Sequence, residues 1–167
     1  AIDPARLSEA NRVNLAIYRD QVRNLAEETR LRGYEMPFNS DSSFWANLNF
    51  MARRPMHSAE AHRAYIARLN DVPRYFDQQT ENMRAGLARG FSVPRAVLAG
   101  REGSIAAVAD LKDPTQAALY APFKNLPAKI PAAEQQALRE AAQAAIRDSV
   151  IPAYAKLQAF FREEYVP

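Results

Sequence analysis

The feature that most constrains the fold of this chain is a helical spacing of apolar residues, broken repeatedly by proline and glycine. It is clearest in RAYIARLNDVPRYFDQQTENMRAGLARGFSVPRAVL, residues 63–98, which is interrupted at Asp-Val-Pro and at Gly-Phe-Ser-Val-Pro. Apolar residues three or four positions apart indicate one buried face of a helix, and Pro or Gly marks where a helix starts or stops. The stretch therefore predicts three helices in close succession.

The same spacing at the start of the chain predicts one long amphipathic helix over residues 4–32. Its apolar positions are Leu15, Tyr18, Val22 and Leu25. Gly33 follows, and glycine is the residue that most readily takes the left-handed conformation at a helix end. We therefore expect this helix to end at Gly33.

Capping residues separate the central helices. Ser58 is the expected cap of one helix, and Asp71 with Pro73 begins the next. Gly90 should end that second helix, and a third should start after Pro94 and run towards Asp110. The predicted buried stripe of the second helix is Val72, Phe76, Gln79 or Thr80, Met83 and Leu87.

Prolines also organise the last third of the chain. Asp113 and Pro114 predict a short turn or helix, and YAPFKNLPAKIP, residues 120–131, is expected to cross the surface as an irregular connection. Pro131 should start the last helix. Pro152 removes the hydrogen bond to the carbonyl of Asp148, so we expect a kink there and a helix that resumes after it.

These patterns predict an all-α fold, a bundle of antiparallel helix hairpins with one long irregular loop and a kinked C-terminal helix. A chain of 167 residues suits one domain, so residues 1–167 are assigned to a single helical domain. The chain opens on Ala1 and closes on FFREEYVP with its apolar pattern still running. We expect a fragment of a larger protein whose last helix presents Tyr154, Phe160, Phe161 and Tyr165 to further chain or to a partner.

The irregular loop carries the candidate ligand-facing residues. These are Tyr34, Phe38, Asn39, Asp41 and Trp45. Aromatic rings beside an amide and a carboxylate are typical of ligand pockets. The alternative, which the composition favours, is that the rings anchor the loop to the core, together with Phe44 and Phe50.

No site for a chemical reaction can be assembled from this sequence, so no catalytic and no metal residue is predicted. The two histidines, His57 and His62, would point about 140° apart on a helix, which does not suit a shared zinc ion. The chain has no cysteine and no nucleophile or phosphate-loop motif. The paired carboxylates at residues 27–28 and 163–164 diverge on a helix and suit solvated faces.

Charge and hydropathy exclude two further classes. The net charge is +3, but arginines alternate with acids along the chain. Arg74, Asp77, Glu81 and Arg84 predict an ion-pair ladder on one helix. Without a clustered basic stripe or a reading motif, we expect no nucleic-acid binding. No apolar run is long enough to cross a membrane.

The order of several motifs resembles one bacterial family. These motifs are Arg-Leu-x-x-x-Pro-x-Tyr at residues 68–75, Gly-x-x-x-Gly at 86–90, Pro94, and Pro-Ala-Tyr to Tyr-x-Pro at 152–167. With YEMPFN before them, they resemble the family catalogued as domain of unknown function number 885, over residues 15–167.

The resemblance implies a parent that looks like an α-helical zinc metallopeptidase, with peptide as substrate and a His-Glu-x-x-His helix beyond this region. No residue of that motif occurs here, so zinc would belong to the remainder of the parent. This chain would be inactive alone and would help to enclose a substrate channel. Relatives also imply a parent in the cell envelope or periplasm. The alternative function is a free-standing helical interaction module that binds a partner through its last helix.

Overall fold

Helices form where the apolar spacing predicts them, and they make up an all-α bundle. The structure is a computed structural model and describes residues 2–166. The helices are α1 (Glu9–Arg30), α2 (Phe44–Asn47), α3 (Ala59–Asn70), α4 (Val72–Ala88), α5 (Arg95–Leu98), α6 (Arg101–Ala109), α7 (Ala121–Lys124), α8 (Ala132–Ala145) and α9 (Ile151–Phe160). Short 3-10 turns lie at Pro4–Arg6, Gly33–Glu35, Leu48–Arg53, Pro114–Gln116 and Ala118–Tyr120. The described part of the chain contains no β-strand, so the all-α fold class is confirmed.

Side-chain caps fix several of the helix starts. The hydroxyl oxygens of Ser43 and Ser58 accept hydrogen bonds from backbone amides three residues on, which begins α2 and α3 and confirms the predicted cap at Ser58. Asp71 begins α4 as predicted, but its carboxylate accepts from the guanidinium of Arg74 and caps no backbone amide. Gly90 lies just beyond α4 with a φ of 71°, a left-handed conformation that stops the helix.

The last helix is interrupted near Pro152, as predicted. Residues Ile146–Val150 form a π-helical turn between α8 and α9, and the amide of Ile151 donates to the carbonyl of Ile146. Pro152 stands in the first turn of α9, where its missing N–H needs no partner. The wider turn accommodates the proline without ending the rod of α8 and α9.

This C-terminal rod is the centre of the bundle. Helix α8 packs against α3, and α9 packs against α4 and α6. The buried side chains of the rod include Leu138, Ile146, Val150, Tyr154, Leu157, Phe160 and Phe161. The expectation that the last helix leaves its rings uncovered is therefore wrong, because α4, α6 and the loop cover them within this chain.

Three local predictions also differ from the structure. The helix predicted from Pro94 to Asp110 is divided at Gly100, which has a φ of 76° and separates α5 from α6. The left-handed residue that ends the first helix is Arg32, with a φ of 58°, and not Gly33. The connection at residues 120–131 is irregular after Lys124, as predicted, but it starts with the short helix α7 and is partly buried, because Tyr120 and Phe123 pack in the core.

The predicted ion-pair ladder of α4 does not form, because Asp77 and Arg84 pair with residues near the end of the chain. Arg74 pairs with Asp71, while Asp77 accepts from the Lys156 ammonium at 2.7 Å. Arg84 donates two hydrogen bonds to Glu164, at 2.5 and 2.6 Å. The Asp77–Lys156 and Arg84–Glu164 pairs tie α4 to the end of the chain. Each of these α4 residues therefore pairs with a neighbouring element and not with the predicted partner on the same helix.

Helix α1 is the longest of the described helices, and none of its 22 residues is buried. Its apolar stripe is half-covered at Leu15 and exposed at Tyr18, Val22 and Leu25, whose exposed fractions are 64%, 49% and 68%. The amphipathic helix was predicted correctly, but its apolar face has no cover within residues 2–166. In the same range, no helix combines the length and the apolar character that crossing a bilayer requires.

Candidate functional site

The structure separates the aromatic members of the predicted ligand-facing loop. Phe38 and Trp45 are 2% and 1% exposed, and their ring centroids lie 5.2 Å apart in the core. The indole N–H of Trp45 donates to the hydroxyl of Ser104 at 3.0 Å. Tyr34, in contrast, is 49% exposed. Phe38 and Trp45 thus anchor the loop, and Tyr34 is the aromatic member of the set that faces outward.

The polar members of the set form the turn of the loop. The Asn39 side-chain oxygen accepts hydrogen bonds from the backbone amides of Asp41 and Ser42, at 2.8 and 2.9 Å. Asp41 is exposed. Arg101, at the start of α6, donates to the carbonyl of Ser40 and holds the turn against the bundle. Asn39 is therefore engaged within the loop, and a ligand-facing role for these residues stays a prediction.

The two histidines occupy different environments. His62 is buried in α3, where its Nδ1 lies 2.8 Å from the carbonyl oxygen of Ser58 and its ring packs on Phe123. His57 is exposed before the helix. Among residues 2–166, no cluster of three or more His, Cys, Asp or Glu side chains is arranged to hold a metal ion.

A surface groove lies over the Arg-Leu-x-x-x-Pro-x-Tyr motif, where α3 meets α4. Its larger depression, of about 270 Å³, is lined by Leu48, Met51, Val72 and Tyr75, with Arg68, Asp71 and Arg74 at its edge. The floor is apolar because Leu48 and Met51 of the 3-10 turn pack beside the first turn of α4. We call this depression and the one beside it the motif groove.

The second depression of the motif groove, of about 200 Å³, lies along α3. It shares Met51 and Arg68 with the first and adds Met56, Tyr65 and Arg54. Methionine is flexible and polarisable, so Met51 and Met56 can adapt to side chains of different shape. Because Arg68 lines both depressions, each of them has a positively charged residue in its lining.

Charge around the motif groove is positive because its carboxylate is already engaged. Asp71 accepts from Arg74 at 2.7 Å, and this hydrogen bond lowers the pKa of the Asp71 carboxyl. Arg54 and Arg68 make no ion pair with any carboxylate in the described part of the chain. The groove therefore offers free guanidinium groups beside apolar surface.

The Gly-x-x-x-Gly motif has a packing role near the loop. A Cβ on Gly86 would lie 2.6 Å from the carbonyl oxygen of Phe91 and 3.0 Å from that of Glu35. The Glu35 carboxylate is buried and pairs with Arg89. Glycine at position 86 lets buried Glu35 and the start of the loop approach α4.

The groove at residues 68–75 was not predicted from the sequence, in which this motif indicated only the family resemblance. The signal was present, since Arg68, Asp71, Arg74 and Tyr75 are polar or amphipathic residues around a helix junction. The contribution of Leu48 and Met51 to the groove could not be predicted, because they come from a segment about 20 positions earlier. Periodicity does not predict contacts between segments.

Residues 2–166 thus form an all-α unit with an apolar surface groove that is lined in part by arginines. The chain belongs to the family described as bacterial protein of unknown function (DUF885), whose sequence model matches residues 1–167. No curated protein and no solved structure matches the chain.

Proposed function

We propose that this chain is a non-catalytic helical portion of a zinc-metallopeptidase-like protein and helps to enclose its substrate channel. The peptidase-like parent is what the family resemblance implies, and the exposed apolar stripe of α1 supports a surface that further polypeptide covers. The stripe is the single observation that carries it, because large apolar side chains in a row are normally covered by another surface.

The ion-paired residues of α1 lie on the side of the helix away from the stripe. Asp20 pairs with Arg23, and Glu27 pairs with Arg30. With about 100° per residue, these pairs lie roughly 100–180° around the helix from the centre of the stripe. One side of α1 thus suits solvent, and the stripe suits burial against further polypeptide.

The exposed end of the loop adjoins this helix. Tyr34 lines a shallow depression with Glu28 and Thr29 at the C-terminal end of α1. An exposed ring beside an uncovered apolar helix is a reasonable wall for a channel, with peptide as the substrate of the complete protein. Zinc and the catalytic base would come from the remainder of the parent, which we place in the cell envelope or periplasm.

The test compares residues 1–167 with the full product of the encoding gene. We expect no stoichiometric zinc and no peptide hydrolysis from residues 1–167, and both from a product that carries a His-Glu-x-x-His helix. Stoichiometric zinc with hydrolysis by residues 1–167 alone would contradict the proposal.

A matched pair of variants tests the role of α1 in the full product. Tyr18→Ser with Val22→Ser should weaken association of α1 and raise the binding of a hydrophobic dye. Asp20→Ser with Arg23→Ser, on the polar side of the same helix, should change neither. Equal effects of the two pairs would mean that the stripe has no special role.

The second candidate function is a free-standing helical interaction module. The heptad spacing of Leu15, Tyr18, Val22 and Leu25 favours it, because an a/d stripe suits a partner helix. In this proposal the partner binds α1, because the last helix, through which binding was predicted, is buried. A gene product without a metal-binding helix would favour the module and exclude the enzyme.

A further inference from the structure

We infer that the motif groove binds a short acidic-apolar peptide segment of a separate polypeptide, with a carboxylate on Arg68 and an apolar side chain in each depression. This inference rests on the groove and does not depend on the proposed channel. Its surface is formed by α3, α4 and residues 48–56, whereas the proposed channel wall is formed by α1 and Tyr34.

The order of chemical groups along the groove determines the expected ligand. Arg68 lines both depressions, so one arginine borders two largely apolar sites. A peptide with apolar, acidic and apolar residues in sequence can place its carboxylate on Arg68 and one apolar side chain in each depression. A lone small carboxylate would leave the depressions empty, and an uncharged apolar peptide would leave Arg68 without a counter-ion.

The charges of the groove favour an acidic ligand over a basic one. Asp71 is held by Arg74, so it offers little attraction to an incoming cation. Arg54, at the edge of the second depression, adds a further guanidinium without a carboxylate partner in the described range. Arginine binds a carboxylate through two parallel hydrogen bonds, which also fixes the orientation of the peptide.

The apolar lining supplies adaptability, so the groove should accept several large apolar side chains. Met51 lies in both depressions, and Met56 extends the second. Unbranched thioether side chains repack around different partners at small cost. We therefore expect selectivity for the central acid and tolerance for Leu, Phe or Tyr beside it.

The experiment is fluorescence anisotropy with labelled pentapeptides of the form Gly-X-Glu-X-Gly, where X is Leu, Phe or Tyr. A matched set has Gln in place of Glu. We expect saturable binding of the Glu set in the micromolar to millimolar range and about fivefold weaker binding of the Gln set, since an exposed ion pair contributes about this factor. Added salt should reduce the difference, because exposed charges are screened.

Variants assign the effect to the groove. Arg68→Ala should remove the preference for Glu over Gln, and Arg68→Lys should retain part of it. Arg95→Ala is the matched control, because Arg95 is exposed, lies outside the groove and has no ion pair among residues 2–166. Met51→Asp should weaken both peptide sets while circular dichroism shows an intact fold.

Several results would overturn the inference. These are no saturable binding by any Glu peptide, equal binding of the Glu and Gln sets, or equal effects of Arg68→Ala and Arg95→Ala. Sedimentation tests whether the occupant of the groove is a second copy of this chain. If Met51→Asp converts a dimer to a monomer, the groove holds a second copy of this chain and not a separate polypeptide.

Discussion

The sequence predicts an apolar face on both α1 and α9, but only the face of α9 is buried in the structure. In α9 the side chains of Tyr154, Leu157 and Phe160 are buried, whereas α1 has no buried residue. Amphipathic spacing predicts that a helix has an apolar side. It does not predict which element covers that side, or whether the cover belongs to the same chain.

The largest expected effect of a substitution is in the packed region. Phe161 is 1% exposed and its ring stacks on Tyr165 with a centroid distance of 5.7 Å. Phe161→Ala should lower the free energy of unfolding by about 3–5 kcal/mol, because it removes a buried ring and leaves a cavity. Urea unfolding measures this. A loss below about 1 kcal/mol would mean that the rod is not the centre of the core.

Alanine substitutions at two glycines compare a closely packed position with an open one. Gly86→Ala should cost about 1–3 kcal/mol, because the new Cβ would meet the carbonyl oxygens of Phe91 and Glu35. Gly103→Ala in α6 is the control, since no atom lies within 4 Å of its added Cβ. It should stabilise the chain by about 0.5–1 kcal/mol through helix propensity.

Thermal or urea unfolding of both alanine variants tests the difference in sign. A stabilising Gly86→Ala would show that Glu35 and the loop can move away from α4 at little cost. The ion pair between buried Glu35 and exposed Arg89 would then be an adaptable contact and not a fixed one.

Local features of the fold were predictable from the sequence, because they depend on neighbouring residues. Ser58 starts a helix, Gly90 ends one, and Pro152 accompanies an interruption, each through chemistry within one turn. The long-range features were not predictable in this way. Phe123 is buried because α3 and α8 approach it, and Asp77 pairs with Lys156 because α9 packs on α4.

The candidate sites follow the same division. The sequence singled out the loop residues from their types, and the structure then separated buried Phe38 and Trp45 from exposed Tyr34. The motif groove needs Met51 beside Tyr75, a contact between distant segments. No spacing rule predicts such a contact from one sequence.

An intermediate effect on stability is expected where the loop contacts α9. The Tyr154 hydroxyl donates to the Trp45 carbonyl oxygen at 2.6 Å. Tyr154→Phe should cost about 1 kcal/mol, because it leaves a buried carbonyl without its donor while keeping the ring. Urea unfolding at neutral pH measures the cost. An unchanged stability would mean that another donor replaces the hydroxyl.

The same tyrosine gives an expected pH dependence. Burial raises the pKa of Tyr154 and of Tyr65 above the ordinary value of 10.0. Their stabilising contribution is present below that value and is lost as pH rises from it towards the folded-state pKa. Each tyrosine should steepen the alkaline fall in unfolding free energy by up to about 1.4 kcal/mol per pH unit. Tyr154→Phe should make the fall shallower, and an identical slope would contradict the role of its burial.

The smallest expected effect is on α1. Val22→Ser with Leu25→Ser should change the unfolding free energy of residues 1–167 by no more than about 0.5 kcal/mol, because both side chains are exposed in the folded chain. Phe161→Ala in parallel unfolding curves is the positive control. A loss above about 2 kcal/mol for the double variant would mean that α1 is packed within this chain, in one copy or between two. Dilution separates these cases, since only packing between copies makes the loss depend on concentration. A negligible loss at all concentrations leaves the stripe available to another polypeptide, as the proposed function requires.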